Sequence, residues 1–249
     1  MAQQKGIIKI KGTVGDLTFY KSQDGFLVRE KGGVEKERIA NDPAFVRTRE
    51  NGKEFGASGN AGKLVQVALR PLLMNTSDSR VFSRLLKSMS FIKNLDSTSA
   101  RGERNVGVGI SAPNALTFIK GFDFNNRSSL RAILFKPYSV NTGTGDISIP
   151  NLVPVNDVVS PQGATHITLR GGWALIDFVT GVHQLELSNV VNLPIDAKTT
   201  NVVLTPGKAP VGTGTNLFVL AIEFYQEVNG SQYSLKNGAF NALSIVEAS

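Results

Sequence analysis

Apolar and polar positions alternate with a period of two from Ile8 to Arg29. Ile8 and Ile10 share one face of a first short run, Leu17 and Phe19 of a second, and Phe26 and Val28 of a third. Lys9, Lys11, Thr18, Tyr20, Leu27 and Arg29 alternate to the other side. This period predicts three strands, joined at "GTVGD" and "SQDG", where Asp24-Gly25 favours a tight hairpin. So small a meander has little core of its own, and its apolar face needs a cover.

The period then lengthens. Asp42-Pro43 reads as a helix start, with an N-cap followed by proline at the first helical position. Ala61, Leu64, Val65, Ala68, Leu69, Leu72 and Leu73 follow the spacing of one helical face, and Pro71 should kink or end that helix. Phe82, Leu85, Leu86, Met89 and Ile92 form a second stripe, capped by Ser77 or Asp78. The expectation is an αα-hairpin covering the meander. "LDSTSARGERNVGVGI", residues 95–110, reads as a linker. Beyond it come strand patterns, among them "ALTFIKGF", "LRAILFKP", "HITLR", "WALIDFV", "HQLELS", "NVVLT", "NLFVLAIEFYQEV" and "ALSIVEA", with turn clusters such as "NTGTGD" and "RGG". In the longest, Phe218, Leu220, Ile222 and Phe224 share one face while Leu217, Val219 and Ala221 fill the other, as in a central strand. The fold class expected is α+β: residues 1–94 a basic meander packed with a helical hairpin, and residues 111–249 an antiparallel β-sandwich.

Charge sharpens the division. Residues 1–93 hold 17 Lys and Arg against 9 Asp and Glu, whereas residues 111–249 hold 8 against 9. The net +7 therefore belongs to the N-terminal third, which points to different partners for the two parts. There are no cysteines, so disulfides, thiolate metal sites and cysteine nucleophiles are excluded. Lys9 and Lys11 interrupt the only apolar run near the N-terminus, and no window is apolar enough for a membrane span. The expected location is cytoplasmic, with an extracellular or particle-associated role requiring a route that reads no N-terminal signal.

"KGIIKIKGTVGDLTFYKSQDGFLVREKGG", then "RIANDPAFVRTRENGKEFG" and "AGKLVQVALRPLL", resembles a family of uncharacterised proteins from Bacteroidetes bacteria. The likeness covers about residues 5–105. It implies a two-part layout and brings no activity or site residues with it.

The candidates for chemistry are weak. "GASGNAGKL" has the wrong spacing for a phosphate loop, with Leu64 where a hydroxyl should hold magnesium, and reads as a connection between helices. His166 and His183 are the only imidazoles, and no nucleophile elbow accompanies them. Glu50 and Glu54 read as a solvated helix face beside Arg47. Asp123, Asp177, Glu186 and Glu223 lie on different strand patterns and would need to converge to act as a glycosidase pair. Trp173 reads as core, not as a sugar platform. No catalytic residue, cofactor or metal site is assigned.

Two surfaces remain. One is the candidate assembly strand set Ile8, Ile10, Leu17, Phe19, Phe26 and Val28. The other is a basic stripe of Arg80, Arg84 and Lys87 on one helix face, flanked by Lys63 and Arg70, with no interleaved aromatic residues. The function expected is a non-enzymatic structural protein that self-assembles with copies of itself into a filament, tube, shell or phage-like particle. The alternative is a protein whose basic third binds nucleic acid or an anionic surface.

Overall fold

A computed structural model describes residues 2–30, 32–76, 78–235 and 239–249. The chain divides into two compact units, with the division inside a helix, between Gly52 and Lys53.

The first unit holds β1 (Ala2–Gln3), β2 (Gly12–Val14), β3 (Leu17–Ser22), β4 (Gly25–Glu30) and helix α1 (Lys36–Asn41). The strands form an antiparallel sheet in the order β1-β4-β3-β2. The second and third expected runs are β3 and β4, and their hairpin pairs Ser22 with Gly25. The first run is different. Residues 8–10 are not a strand; β2 instead occupies Gly12–Val14, inside the expected turn. Two causes act together. Gly12 takes φ +120°, which turns the chain off the sheet. The Gln4 side chain then holds Ile10, accepting from its N–H at 3.0 Å and donating to its carbonyl at 3.3 Å, the groups a strand partner would use. Asp42 caps as expected, accepting from the Ala44 N–H at 2.9 Å ahead of Pro43.

Helix α2 (Val46–Ala68) runs unbroken through Gly52, Gly56, Gly59 and Gly62, so the glycine-rich stretch is helix and not the connection expected there. Small residues serve close packing. A Cβ on Gly62 would lie 3.5 Å from the Leu85 Cβ and the Leu86 backbone nitrogen. Pro71 does break the helix: α2 ends at Ala68, and a single turn, α3 (Arg70–Leu73), follows. The partner helix α4 spans Val81–Asn94 and buries Leu85, Met89 and Ile92 while leaving Phe82 exposed. Asp78 is not its side-chain N-cap, and Ser77 lies outside the described residues.

The remaining helices are single turns: α5 (Val106–Gly109), α6 (Leu130–Ile133) and α7 (Pro154–Asp157). The strands are β5 (Ser139–Val140), β6 (Ile147–Leu152), β7 (His166–Ile176), β8 (His183–Pro194), β9 (Thr200–Leu204), β10 (Thr215–Val228), β11 (Ser231–Ser234) and β12 (Ala242–Ala248). One sheet has the order β11-β10-β7-β8, with β12 also paired to β10, and a smaller one has the order β5-β6-β9. Both are antiparallel.

As its pattern predicts, β10 is central and buried on both faces. Phe218, Leu220, Ile222 and Phe224 pack with Ile147, Ile149, Val202 and Leu204 of the small sheet. Leu217, Val219 and Ala221 pack with Val65, Leu69, Leu85 and Met89 of the helices. The second unit is thus three layers: helices, large sheet, small sheet. The boundary expected near residue 94 is displaced because the helical hairpin shares a core with the sandwich.

The expected linker is likewise part of this unit. The Asp96 carboxylate, 2 % exposed, accepts from the N–H groups of Thr98, Ser99 and Asn105, so the polar residues of the stretch satisfy one another inside the fold. Two other strand expectations fail: residues 115–118 form a 3₁₀ turn, and 130–133 form α6, whose first N–H donates to Asp123. "RGG" is not a turn but the middle of β7. A Cβ on Gly172 would lie 2.9 Å from Val219 and 3.0 Å from Leu72, so glycine there admits the helices onto the sheet. Trp173 is core, its indole N–H donating to Asn216 at 2.9 Å.

Candidate functional site

The register of the N-terminal sheet decides which residues share a face. Leu17 pairs with Glu30, Phe19 with Val28, Lys21 with Phe26, and Val14 with Leu17. One face therefore carries Val14, Leu17, Phe19, Phe26 and Val28, with Lys21 at one end and Glu30 at the other. Four of the six expected assembly residues meet here. Ile8 and Ile10 do not join the strands; they are 81 % and 44 % exposed. No described residue in 2–52 is buried. Among the described residues of this unit none buries the apolar face: Phe19, Phe26 and Val28 are half-buried, and Val14 and Leu17 are exposed. Cations edge it: the Lys21 and Lys9 ammonium groups stand 5.6 and 5.8 Å from the Phe26 ring centre. The outer strands β1 and β2 are two and three residues long, which leaves little backbone edge for another strand to join. The face is the unsatisfied element, more than the edges.

In the second unit the basic stripe is partly assembled. Arg80, Arg84 and Lys87 line a groove of about 470 Å³ with Asp78, Ser83 and Arg127. Lys63 and Arg70 are exposed on α2 and α3 and take no part in it. Asp78 fixes the groove: it accepts from the N–H groups of Arg80 and Asn126 and pairs with the Arg84 guanidinium. Burial works to raise the Asp78 pKa, but those donors outweigh it and hold the carboxyl below its ordinary value. Arg84 also donates to the Asp123 carbonyl and lies 5.0 Å from the Phe122 ring centre. Arg127 has no sequence signal linking it to the stripe, because it arrives from a loop forty residues past Lys87.

The carboxylates do not converge. Glu223 pairs in register with Thr168, nine residues from Asp177 on the same sheet, a separation of about 30 Å. Glu223 accepts from Asn75 and from the Tyr225 hydroxyl, whose pKa burial and that bond push up to about 12. Glu186 pairs with Lys208, and Asp177 folds back onto Thr180 and Val179. Glu54 is not on a solvated face: at 5 % exposure it pairs with Lys93 and Arg104 and accepts from the Gly102 N–H. His166 lies 3.4 Å from Glu227, and the His183 Nδ1 lies 3.4 Å from the Gly181 carbonyl. Among the described residues no three carboxylates or imidazoles group as metal ligands, and no helix is long and apolar enough to cross a membrane. Comparison with known protein families, curated proteins and solved structures finds no match to this chain.

Proposed function

We propose that this is a structural protein that self-assembles with copies of itself into a filament, tube, shell or phage-like particle, and that the N-terminal sheet is the joint. The observation that carries the reading is an ordered four-stranded sheet without a buried residue. Ordering a residue costs about 1–2 kcal/mol of backbone entropy, and apolar burial is the main offset. A sheet that leaves Val14 63 % and Leu17 45 % exposed lacks that offset until a second surface covers it.

Charge favours a copy as the cover. With two such faces packed about a two-fold axis perpendicular to the strands, Lys21 of each meets Glu30 of the other, with the apolar residues between them. An assembly that grows beyond a pair needs another contact. The second unit carries an exposed apolar group suited to it: Val179, Val182 and Val211 are 75 %, 62 % and 78 % exposed. Val211 is held beside β8 by two hydrogen bonds with the Gln184 amide. Exposed apolar clusters of this kind mark contact surfaces.

Negative-stain electron microscopy of nuclease-treated protein at low and high salt tests the proposal, with a chain lacking residues 1–33 alongside. Regular assemblies at both salts from the full chain, and none from the shortened one, are expected. Dispersed particles from the full chain, or normal assemblies from the shortened one, overturn it.

A further inference from the structure

We propose that the exposed face of α4 and the loop at Arg127 form a binding path for single-stranded nucleic acid. This does not rest on the assembly reading; a different unit and different residues carry it.

The groove is cationic beyond its internal needs. Arg84 is matched by the one carboxylate there, Asp78, which also accepts from two backbone N–H groups, while Lys87 and Arg127 line the same groove beside Arg80. Among the described residues neither Lys87 nor Arg127 has a carboxylate within ion-pair distance. The Ser83 hydroxyl lines the same wall, so the groove presents hydrogen-bond donors as well as charge. Such a surface suits anionic oxygens spaced along a chain.

The second observation is aromatic. One turn past Lys87, Phe91 is 44 % exposed and stacks on Phe118, itself 39 % exposed, with ring centres 5.4 Å apart at 21°. The Lys87 ammonium lies 5.9 Å from the Phe91 ring centre, which joins the cations to the rings in one surface. Phe118 reaches the pair from the 3₁₀ turn at 115–118, so α4 supplies one ring and a distant element supplies the other. Exposed rings at the end of a basic groove are the platform on which unpaired bases stack while the backbone follows the charge. A duplex keeps its bases paired and leaves the rings idle, and so does an acidic peptide.

The test is fluorescence anisotropy with a labelled 20-nucleotide oligothymidine, a duplex of equal length, and poly-glutamate as competitor. Engagement of two or three phosphates gives a salt slope of about −1.4 to −2, a weakening of about 7- to 16-fold between 50 and 200 mM salt. The single strand is expected to bind more tightly than the duplex. Lys87→Glu and Arg127→Glu should each weaken it about 10-fold or more. Phe91→Ala should weaken the single strand about 5-fold or more and leave duplex binding unchanged. Trp173 fluorescence serves as the check that each variant is folded. No binding at 50 mM salt, equal binding of single strand and duplex, displacement by poly-glutamate at equal charge, or full affinity in the folded variants would each overturn the proposal.

Discussion

Glu54 of α2 and Lys93 of α4 meet in an ion pair whose side chains are 7 % and 11 % exposed. The pair ties the two helices, and through Gly102 and Arg104 it also holds the segment that follows them. Glu54→Ala leaves Lys93 buried without its acceptor, a loss of about 3–5 kcal/mol. Urea unfolding followed by Trp173 fluorescence should show a midpoint shift of that size. An unchanged midpoint would mean the pair is solvated in solution.

Acid should loosen the same region. The Lys93 hydrogen bond is the main cause holding Glu54 below its ordinary 4.5. At Asp96 burial pushes upward, but bonds from Ser99, Asn105 and Thr98 prevail and hold it well below 3.8. Both folded-state values are depressed, so their contribution is complete above about pH 5 and is lost as pH falls through 4.5 and below. Thermal unfolding across pH 7 to 3 should show a steep decline at the acid end. In Asp96→Asn the midpoint at pH 7 should be lower and the acid decline shallower.

Gly145 and Trp173 fix the corner between the two sheets. Gly145 has φ +78°, and a Cβ there would lie 2.4 Å from the indole and 2.8 Å from Pro206. Gly145→Ala combines left-handed strain with overpacking, for a loss of about 2–4 kcal/mol. Since Trp173 is the only tryptophan, its emission should shift as well.

The charged ends of the N-terminal face offer a reversal test. Lys21→Glu or Glu30→Lys alone sets like charges against each other across the proposed two-fold contact. Two exposed pairs at about 0.2–1 kcal/mol each put the loss at about 2- to 30-fold in association. The double variant should recover the wild-type value. A double variant as weak as its parents would remove the two-fold arrangement.

What could be read from the sequence follows from the range of the forces involved. The β10 pattern was legible because both of its alternating sets are apolar, and a strand buried on both faces has no other pattern. The Asp42 cap and the Pro71 break are legible because each is set by neighbouring residues alone. The β7 sequence reads as two strands because Gly171 and Gly172 signal a turn unless something packs on them, and Leu72, Val219 and Ile147 do. Ile8 and Ile10 have the right period, but the Gln4 side chain takes a strand partner's place at Ile10. Glu54 looked solvated because its partner lies 39 residues away. The groove was half visible: Arg80, Arg84 and Lys87 share a helix face by spacing alone, whereas Arg127 and Phe118 join only when distant segments fold together.

The most direct test of the assembly account is sedimentation velocity over a range of concentrations for the full chain and for Leu17→Asp. Leu17 is 45 % exposed and belongs to neither buried core, so the substitution should leave Trp173 emission unchanged. The account predicts fast-sedimenting, concentration-dependent species for the wild type and their loss in the variant, which keeps at most small species joined through the second contact. A wild-type monomer at every concentration, or identical sedimentation of the two, would contradict it.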